Sequence, residues 1–274
     1  MMSTISHHIE EPPGLWLRPM PDTHRVNRGR AHTRVVMVPH AGAGVSTFTR
    51  WGACFPAGLE VLRVQLPGRE DVRHAARATS VFAAATTLAG QLLALPEIPT
   101  VVYGHSMGAV IAFELTRCLF AAGRSPIHLC VSGRRAPHLP ASRPPLHERD
   151  DEELLAGLAE LSDTWHLLAR TPEFLSDALD LVRYDLAMVE QYRYVAGPIL
   201  EDGGVVPLPV PITACHGNRD PLVDADEAWS WSAHTASGFA GHTFAGDHFF
   251  PQQHRDRLTA LFVSPPSTAE PAGS

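Results

Sequence analysis

Thr100-Val-Val-Tyr103, then Gly104-His105-Ser106-Met107-Gly108, then an apolar run to Ala122 closed by Gly123, is the stretch that decides the fold. The β-branched run reads as a buried strand. The run from Met107 to Ala122 has the length and composition of a helix, with Gly123 at its C-cap. Between them, G-x-S-x-G puts a serine on the turn from strand to helix. Such a turn is tight, so the residues two before and two after the serine must lack colliding side chains. Gly104 and Gly108 meet that need. The helix N-terminus then aims its amide dipoles at the hydroxyl. The string alone is weak, but its place between strand and helix makes Ser106 a candidate nucleophile.

Outward from this turn, short apolar strands alternate with helical patterns. Further strands are expected at Thr33–Pro39, Glu60–Leu66, Pro126–Val131, Pro211–Cys215 and His242–Phe244, and helices at Ser80–Leu95 and Phe249–Phe262. This alternation predicts an α/β fold with a mostly parallel central sheet flanked by helices. One stretch interrupts it. Residues 137–209 open proline-rich, turn acidic at Asp150-Asp-Glu-Glu153, and run helical from Thr171 to Tyr194. We read them as a helical lid insertion that divides the core into 1–136 and 210–263, with 264–274 a disordered tail.

Composition removes several classes of function. The 274 residues suit one domain of this kind. All 22 basic residues are arginine, which excludes a Schiff-base or P-loop lysine. A net charge of −7 argues against nucleic-acid binding. The N-terminus lacks an apolar signal region, and no run is long enough to span a membrane, so a cytoplasmic protein is expected. Cys54, Cys118, Cys130 and Cys215 lack CxxC spacing, and the 16 histidines form no HExxH pattern. We therefore expect no metal.

A serine nucleophile needs a base, and the base needs an orienting carboxylate. In this architecture both follow the serine, on loops after later strands. Asp220 follows the strand ending in Cys215-His-Gly217, and His248 follows the last strand. Asp224 and Asp226 are placed at a helix start, and Asp247 is too close in sequence to orient His248. His242 falls in a strand and His254 in a helix, while His40, His105 and His216 read as polar residues beside tight turns. The oxyanion hole needs two converging amides. Met107 supplies one, and the loop His40-Ala41-Gly42-Ala43-Gly44 the other, from Ala41 with Gly42 as the rival.

The segments VPHAGAG (38–44), VQLPGRE (64–70), GHSMGA (104–109), VSGRRAPH (131–138), GNRDPLV (217–223) and GDHFF (246–250) resemble a type II thioesterase, a stand-alone α/β-hydrolase serving polyketide and nonribosomal peptide synthases. The resemblance runs from about Leu15 to Phe262. It implies hydrolysis of acyl groups from the phosphopantetheine arm of acyl- or peptidyl-carrier proteins, as editing, with no cofactor. It implies the roles just given to Ser106, Asp220, His248, Ala41 and Met107. The loop reads HAGAG where HAGGG or HAGGS is commoner, and Ala43 is expected to narrow the pocket.

A serine esterase or lipase on free small esters is the alternative, since the same triad attacks both bonds. A fused chain-terminating thioesterase is disfavoured because no carrier domain precedes the motif. Carrier proteins are typically acidic, as the resemblance implies, so local arginines must offset this chain's own negative charge. Arg134 and Arg135 are the candidates for that contact, with Arg69 and Arg143 behind them. In the insertion, Leu154, Leu155, Leu158, Trp165, Leu167, Leu168, Phe174 and Leu175 exceed what one buried helix face needs, so part of the set should line a chamber.

Overall fold

The computed structural model describes residues 14–21, 31–162, 165, 167, 169–196 and 207–266. The expectations for Leu168 and for 267–274 of the tail lie outside the described residues.

Among the described residues, seven strands form one sheet in the order β1-β3-β2-β4-β5-β6-β7. Six of them run parallel: β2 (Thr33–Val38), β3 (Leu59–Val64), β4 (Thr100–His105), β5 (His128–Ser132), β6 (Ile212–Gly217) and β7 (Phe239–Phe244). The seventh, β1 (Leu17–Pro19), adds an antiparallel edge beside β3. It was not expected, because a three-residue strand ending in proline is too short to show a period.

The strand side chains alternate between two cores. Val36, Val38, Val102, Leu129 and Val131 pack under α1 (Val81–Leu93) and α2 (Met107–Ala121). Val35, Met37, Val101, Tyr103 and Cys130 pack on the other face, against Trp51 and the last helix, α6 (Arg255–Phe262). Burial on both faces is why these strands read as unbroken apolar runs. Each fully buried aliphatic side chain contributes about 1.5–3 kcal/mol, so the sheet centre is a stiff frame.

Local signals set the helix ends. Ser80 caps α1 by accepting the Ala83 N–H at 3.0 Å. Gly123, at φ +75°, closes α2, and the Arg124 N–H reaches back to the Leu119 carbonyl at 2.9 Å. The closing helix is shorter than expected. A 3-10 turn at Phe250–Gln252 precedes α6, and the run is broken at His254, whose backbone (φ −121°, ψ 31°) is not helical.

Between β5 and β6 lie α3 (Asp151–Ala159) and α4 (Pro172–Glu190); a short α5 (Ala225–Trp229) follows β6. Asp150 caps α3 through the Glu153 N–H at 2.9 Å, and the first turn is acidic, as the helix dipole favours. Leu154, Leu158, Leu179 and Val182 form a small core of their own where α3 meets α4.

Candidate active site

Ser106 sits at φ 55° and ψ −116°, outside the regions an L-residue prefers. Such a conformation costs about 1–3 kcal/mol and needs close support on every side. That support is visible in the two glycines. A Cβ on Gly104 would lie 2.1 Å from the Gly108 carbonyl oxygen, and one on Gly108 would lie 2.3 Å from that of Val38. The Ser106 N–H is tied to the Ser132 carbonyl at 2.8 Å. At the head of α2 the serine makes no capping bond with its side chain, so the hydroxyl is left for other chemistry.

His248 and Asp220 meet on the loops after β7 and β6. His248 donates from Nδ1 to Asp220 Oδ2 at 2.8 Å, with side-chain exposures of 3% and 0%. The carboxylate can only accept, so it holds the proton on Nδ1 and leaves Nε2 as a base. Asp220 Oδ1 accepts the Leu222 N–H at 2.9 Å, which fixes the carboxylate. The rival acids are engaged elsewhere. Asp224 caps α5 in a capping box with Glu227, Asp226 lies in that helix's first turn, and Asp247 accepts the Phe249 N–H at 2.8 Å.

Two more histidines stand beside His248. The His105 ring lies 5.0 Å from it, with Nδ1 2.9 Å from Ser132 Oγ, and the His40 ring packs edge-on to His105 and Phe249. Burial, aided by the charge of a protonated His248, pushes His40 down to about 3 and His105 well below the ordinary imidazole range. Both are therefore neutral at physiological pH. Elsewhere, His216 bonds Thr243 Oγ1 and His254 donates to the Ala245 carbonyl.

The loop after β2 brings its amides to the same place. The Gly42 N–H is already donated to Asp185 Oδ2 at 2.7 Å, whereas among the described residues nothing accepts from the Ala41 N–H. Met107 is the first residue of α2, so its N–H has no acceptor within the helix.

Ser106, His248, Ala41 and Met107 all open into one cavity of about 1970 Å³. That exceeds an ordinary small-molecule pocket and gives room for a long, flexible substrate. The insertion supplies much of its wall. Leu158, Trp165 and Leu167 line it as expected, Leu158 and Trp165 doing so from within or against the α3–α4 core; Leu154, Leu155 and Leu175 pack into that core without lining the cavity, and Phe174 is 64% exposed. Ala43 is not in the wall, so it does not narrow the cavity; its N–H closes a turn onto the His40 carbonyl.

The arginines need correcting. Arg135 is ion-paired with Glu227 at 2.8 Å and bonded to Pro140 and Ser142, with only 13% of its side chain exposed. It is not a free surface cation. Arg69 is buried against Asp185. Arg134 is half-buried and lines the cavity rather than the outer surface; burial lowers its guanidinium to about 10, still charged at neutral pH. Arg143 is exposed at the cavity rim and donates to the Pro221 carbonyl.

Asp185 has no place in the sequence expectations. Its signal was an acid on the apolar stripe of α4, three residues after Val182 and four before Val189. Its partner, Arg69, is 116 residues away.

A serine on a strained strand–helix turn, sharing one cavity with an imidazole held by a carboxylate from the neighbouring strand loop, defines the α/β-hydrolase class. Residues 33–263 match the family model of the thioesterase domain. The gramicidin S biosynthesis protein GrsT of Aneurinibacillus migulanus is 34% identical over 221 residues, 80% of this chain and 83% of that one. Among solved structures, the type II thioesterase BorB from the borrelidin biosynthetic cluster is 34% identical with a TM-score of 0.78, covering 90% of this chain and 96% of that one. YbtT, the type II thioesterase of a yersiniabactin NRPS/PKS pathway, is 30% identical with a TM-score of 0.79, covering 91% and 97%. The chain belongs to the thioesterase family, and within it to the type II enzymes that hydrolyse thioesters in antibiotic, polyketide and nonribosomal peptide biosynthesis.

Proposed function

We propose that this enzyme removes acyl groups from the phosphopantetheine arm of acyl- or peptidyl-carrier proteins, clearing stalled or aberrant chains, with Ser106, His248 and Asp220 as its triad. One observation carries the reading. An uncapped, strained serine opens into the same large cavity as an imidazole whose proton is held on the far nitrogen by a carboxylate.

The chemistry follows from that arrangement. Ser106 Oγ attacks the thioester carbonyl as its proton passes to His248 Nε2. The carbonyl oxygen, now negative, is taken by the Ala41 and Met107 amides. The C–S bond breaks, and the imidazolium returns its proton to the departing sulfur, restoring the carrier thiol. Nε2 then deprotonates a water that attacks the acyl-enzyme, releasing the acid and regenerating Ser106. His248 becomes cationic on the way, and the neutral His40 and His105 do not repel it.

Substrate and location follow the same reading. The cavity suits a pantetheine arm with its acyl group, and the described part of 137–209, helices α3 and α4 above all, acts as its lid. Carrier recognition falls to the rim rather than to Arg135. Among the described residues no helix is long and apolar enough to cross a membrane, in keeping with a cytoplasmic enzyme acting on soluble carriers.

The test compares kcat/KM for an acyl-carrier thioester and for a simple ester of the same acyl group. Preference for the carrier-bound thioester supports the reading. Equal or better turnover of the free ester would make the chain an esterase.

A further inference from the structure

We propose that the buried Arg69–Asp185 ion pair is a positioning device for the oxyanion loop, clamping its backbone between the strand-β3 side of the core and helix α4 so that the Ala41 amide stays aimed at the reacting carbonyl. The inference rests on the oxyanion role given to Ala41 above.

The pair is bidentate. Arg69 Nη1 donates to Asp185 Oδ2 at 2.7 Å and Nη2 to Oδ1 at 2.8 Å, with side-chain exposures of 3% and 1%. Each partner also holds the loop. Asp185 Oδ2 accepts the Gly42 N–H at 2.7 Å, and Arg69 Nη1 donates to the Ala43 carbonyl at 2.9 Å. The Gly42 N–H belongs to the peptide that joins it to Ala41, so fixing it fixes the plane next to the Ala41 amide. Gly42 is at φ +76°, with Val182 of α4 3.4 Å from where a Cβ would stand, so helix and loop are in contact over this turn.

Arg69 is itself held. Gln65 Nε2 donates to the Arg69 carbonyl at 3.2 Å, while Gln65 Oε1 accepts the Val45 N–H at 2.8 Å. Glu70, at φ 48°, accepts from the Ser46 N–H at 3.1 Å and from its hydroxyl at 2.6 Å. The Gln65–Glu70 segment thus straps the loop from one side, and Asp185 fastens it from the other.

Stability alone is a poor reason for such a pair, since desolvation cancels much of the attraction and an apolar pair of similar volume is often as stable. An apolar pair cannot supply charge-assisted bonds to a peptide N–H and carbonyl. Arg69 also neutralises a carboxylate bonded to the amide that follows Ala41, where an unpaired negative charge would oppose a developing oxyanion.

The experiment uses the full chain, a small thioester such as butyryl-pantetheine, and the trifluoromethyl ketone analogue of that substrate. The ketone forms a tetrahedral adduct: Ser106 Oγ bonds to the carbonyl carbon, His248 takes the hydroxyl proton, and the carbonyl oxygen carries the negative charge into the hole. The double variant Arg69→Met with Asp185→Leu should keep the wild-type Tm and KM while kcat falls about 10²-fold, the scale of an ångström-sized misplacement. Ketone affinity should fall in parallel with kcat/KM. Asp185→Asn, which keeps an acceptor for Gly42, should lose less. A double variant that folds at the wild-type Tm with unchanged kcat and ketone affinity overturns the inference, as does an equal loss of KM and kcat that spares the ketone. Should the double variant not fold, Arg69→Lys and Asp185→Asn decide: wild-type kcat and ketone affinity in both overturn it. A wild-type chain inert toward butyryl-pantetheine would instead remove the functional reading beneath it.

Discussion

The serine turn and the insertion wall the same cavity, yet they are built on opposite principles. At the turn, backbone is packed on backbone: Gly104 against Gly108, and Gly108 against Val38, with no room for a methyl group. Two sheet cores stand behind it. The insertion has one small core of four leucine and valine side chains, and beyond it a set of polar anchors: Asp185 to Arg69, Asp180 to Arg77 at 2.6 Å, and the Tyr192 hydroxyl to Glu114 at 2.6 Å. Close packing fixes a geometry to fractions of an ångström and suits a reaction. A few anchors around a small core hold a wall in place while leaving it adjustable, which suits selection among acyl groups.

The two halves should therefore respond to substitution in different units. Ser106→Ala should lower turnover by up to about 10⁶-fold with an unchanged Tm, measured as kcat on a small thioester. Asp220→Asn should cost about 10⁴-fold, because the imidazole loses its tautomer, while Asp224→Asn should affect only the cap of α5. A crippled Asp224→Asn beside a healthy Asp220→Asn would reverse the assignment of the acid.

On the insertion side, Trp165→Ala should shift preference toward longer acyl groups in a graded way. Burial and sterics discriminate by roughly 1–3 kcal/mol per methylene-scale change, or about 10- to 200-fold. The readout is kcat/KM across a series of acyl lengths. An unchanged profile in a folded variant would take the insertion out of the specificity argument. In amide exchange, α3 should be less protected than β4, with the Asp185 turn of α4 between them. Equal protection of α3 and β4 would erase the contrast.

The core around the turn has an acid limit. His40 near 3 and His128 near 4, and His105, held well below the ordinary imidazole range, are all lowered by burial and are neutral in the folded protein. Their unfolded pKa is about 6.5, so below that pH the unfolded chain binds more protons and folding loses free energy. The loss continues as pH falls toward the folded values, at roughly 1 kcal/mol per pH unit for each ring. Tm should therefore drop steeply between about pH 6 and pH 4. A flat Tm across that window would mean that these rings are not buried neutral.

What could be read from the sequence follows the same division. The sheet was legible because strands buried on both faces read as short unbroken apolar runs between turn residues, and the serine turn because only glycine fits two residues either side. The meeting of Asp220 with His248 was legible because strand order fixes where later loops emerge. The insertion was not. Of its apolar residues, Leu154 and Leu158 share one core, yet only Leu158, one turn on, also reaches the cavity, and helical spacing alone does not separate them. Arg135 read as surface because its partner Glu227 is distant in sequence. Asp185 was missed for the same reason: pairing across the fold leaves no mark on neighbouring residues.

One measurement reaches the central claim, that Ser106 releases acyl groups from a carrier's phosphopantetheine arm. A carrier protein loaded with butyryl-phosphopantetheine is incubated with wild-type enzyme and with Ser106→Ala, and the intact mass of the carrier is followed. The expected result is loss of the acyl mass and return of the free thiol with wild type, and a carrier that stays acylated with the variant. Equal deacylation by Ser106→Ala, or a carrier left acylated by a wild-type enzyme that cleaves free butyryl esters, would contradict it.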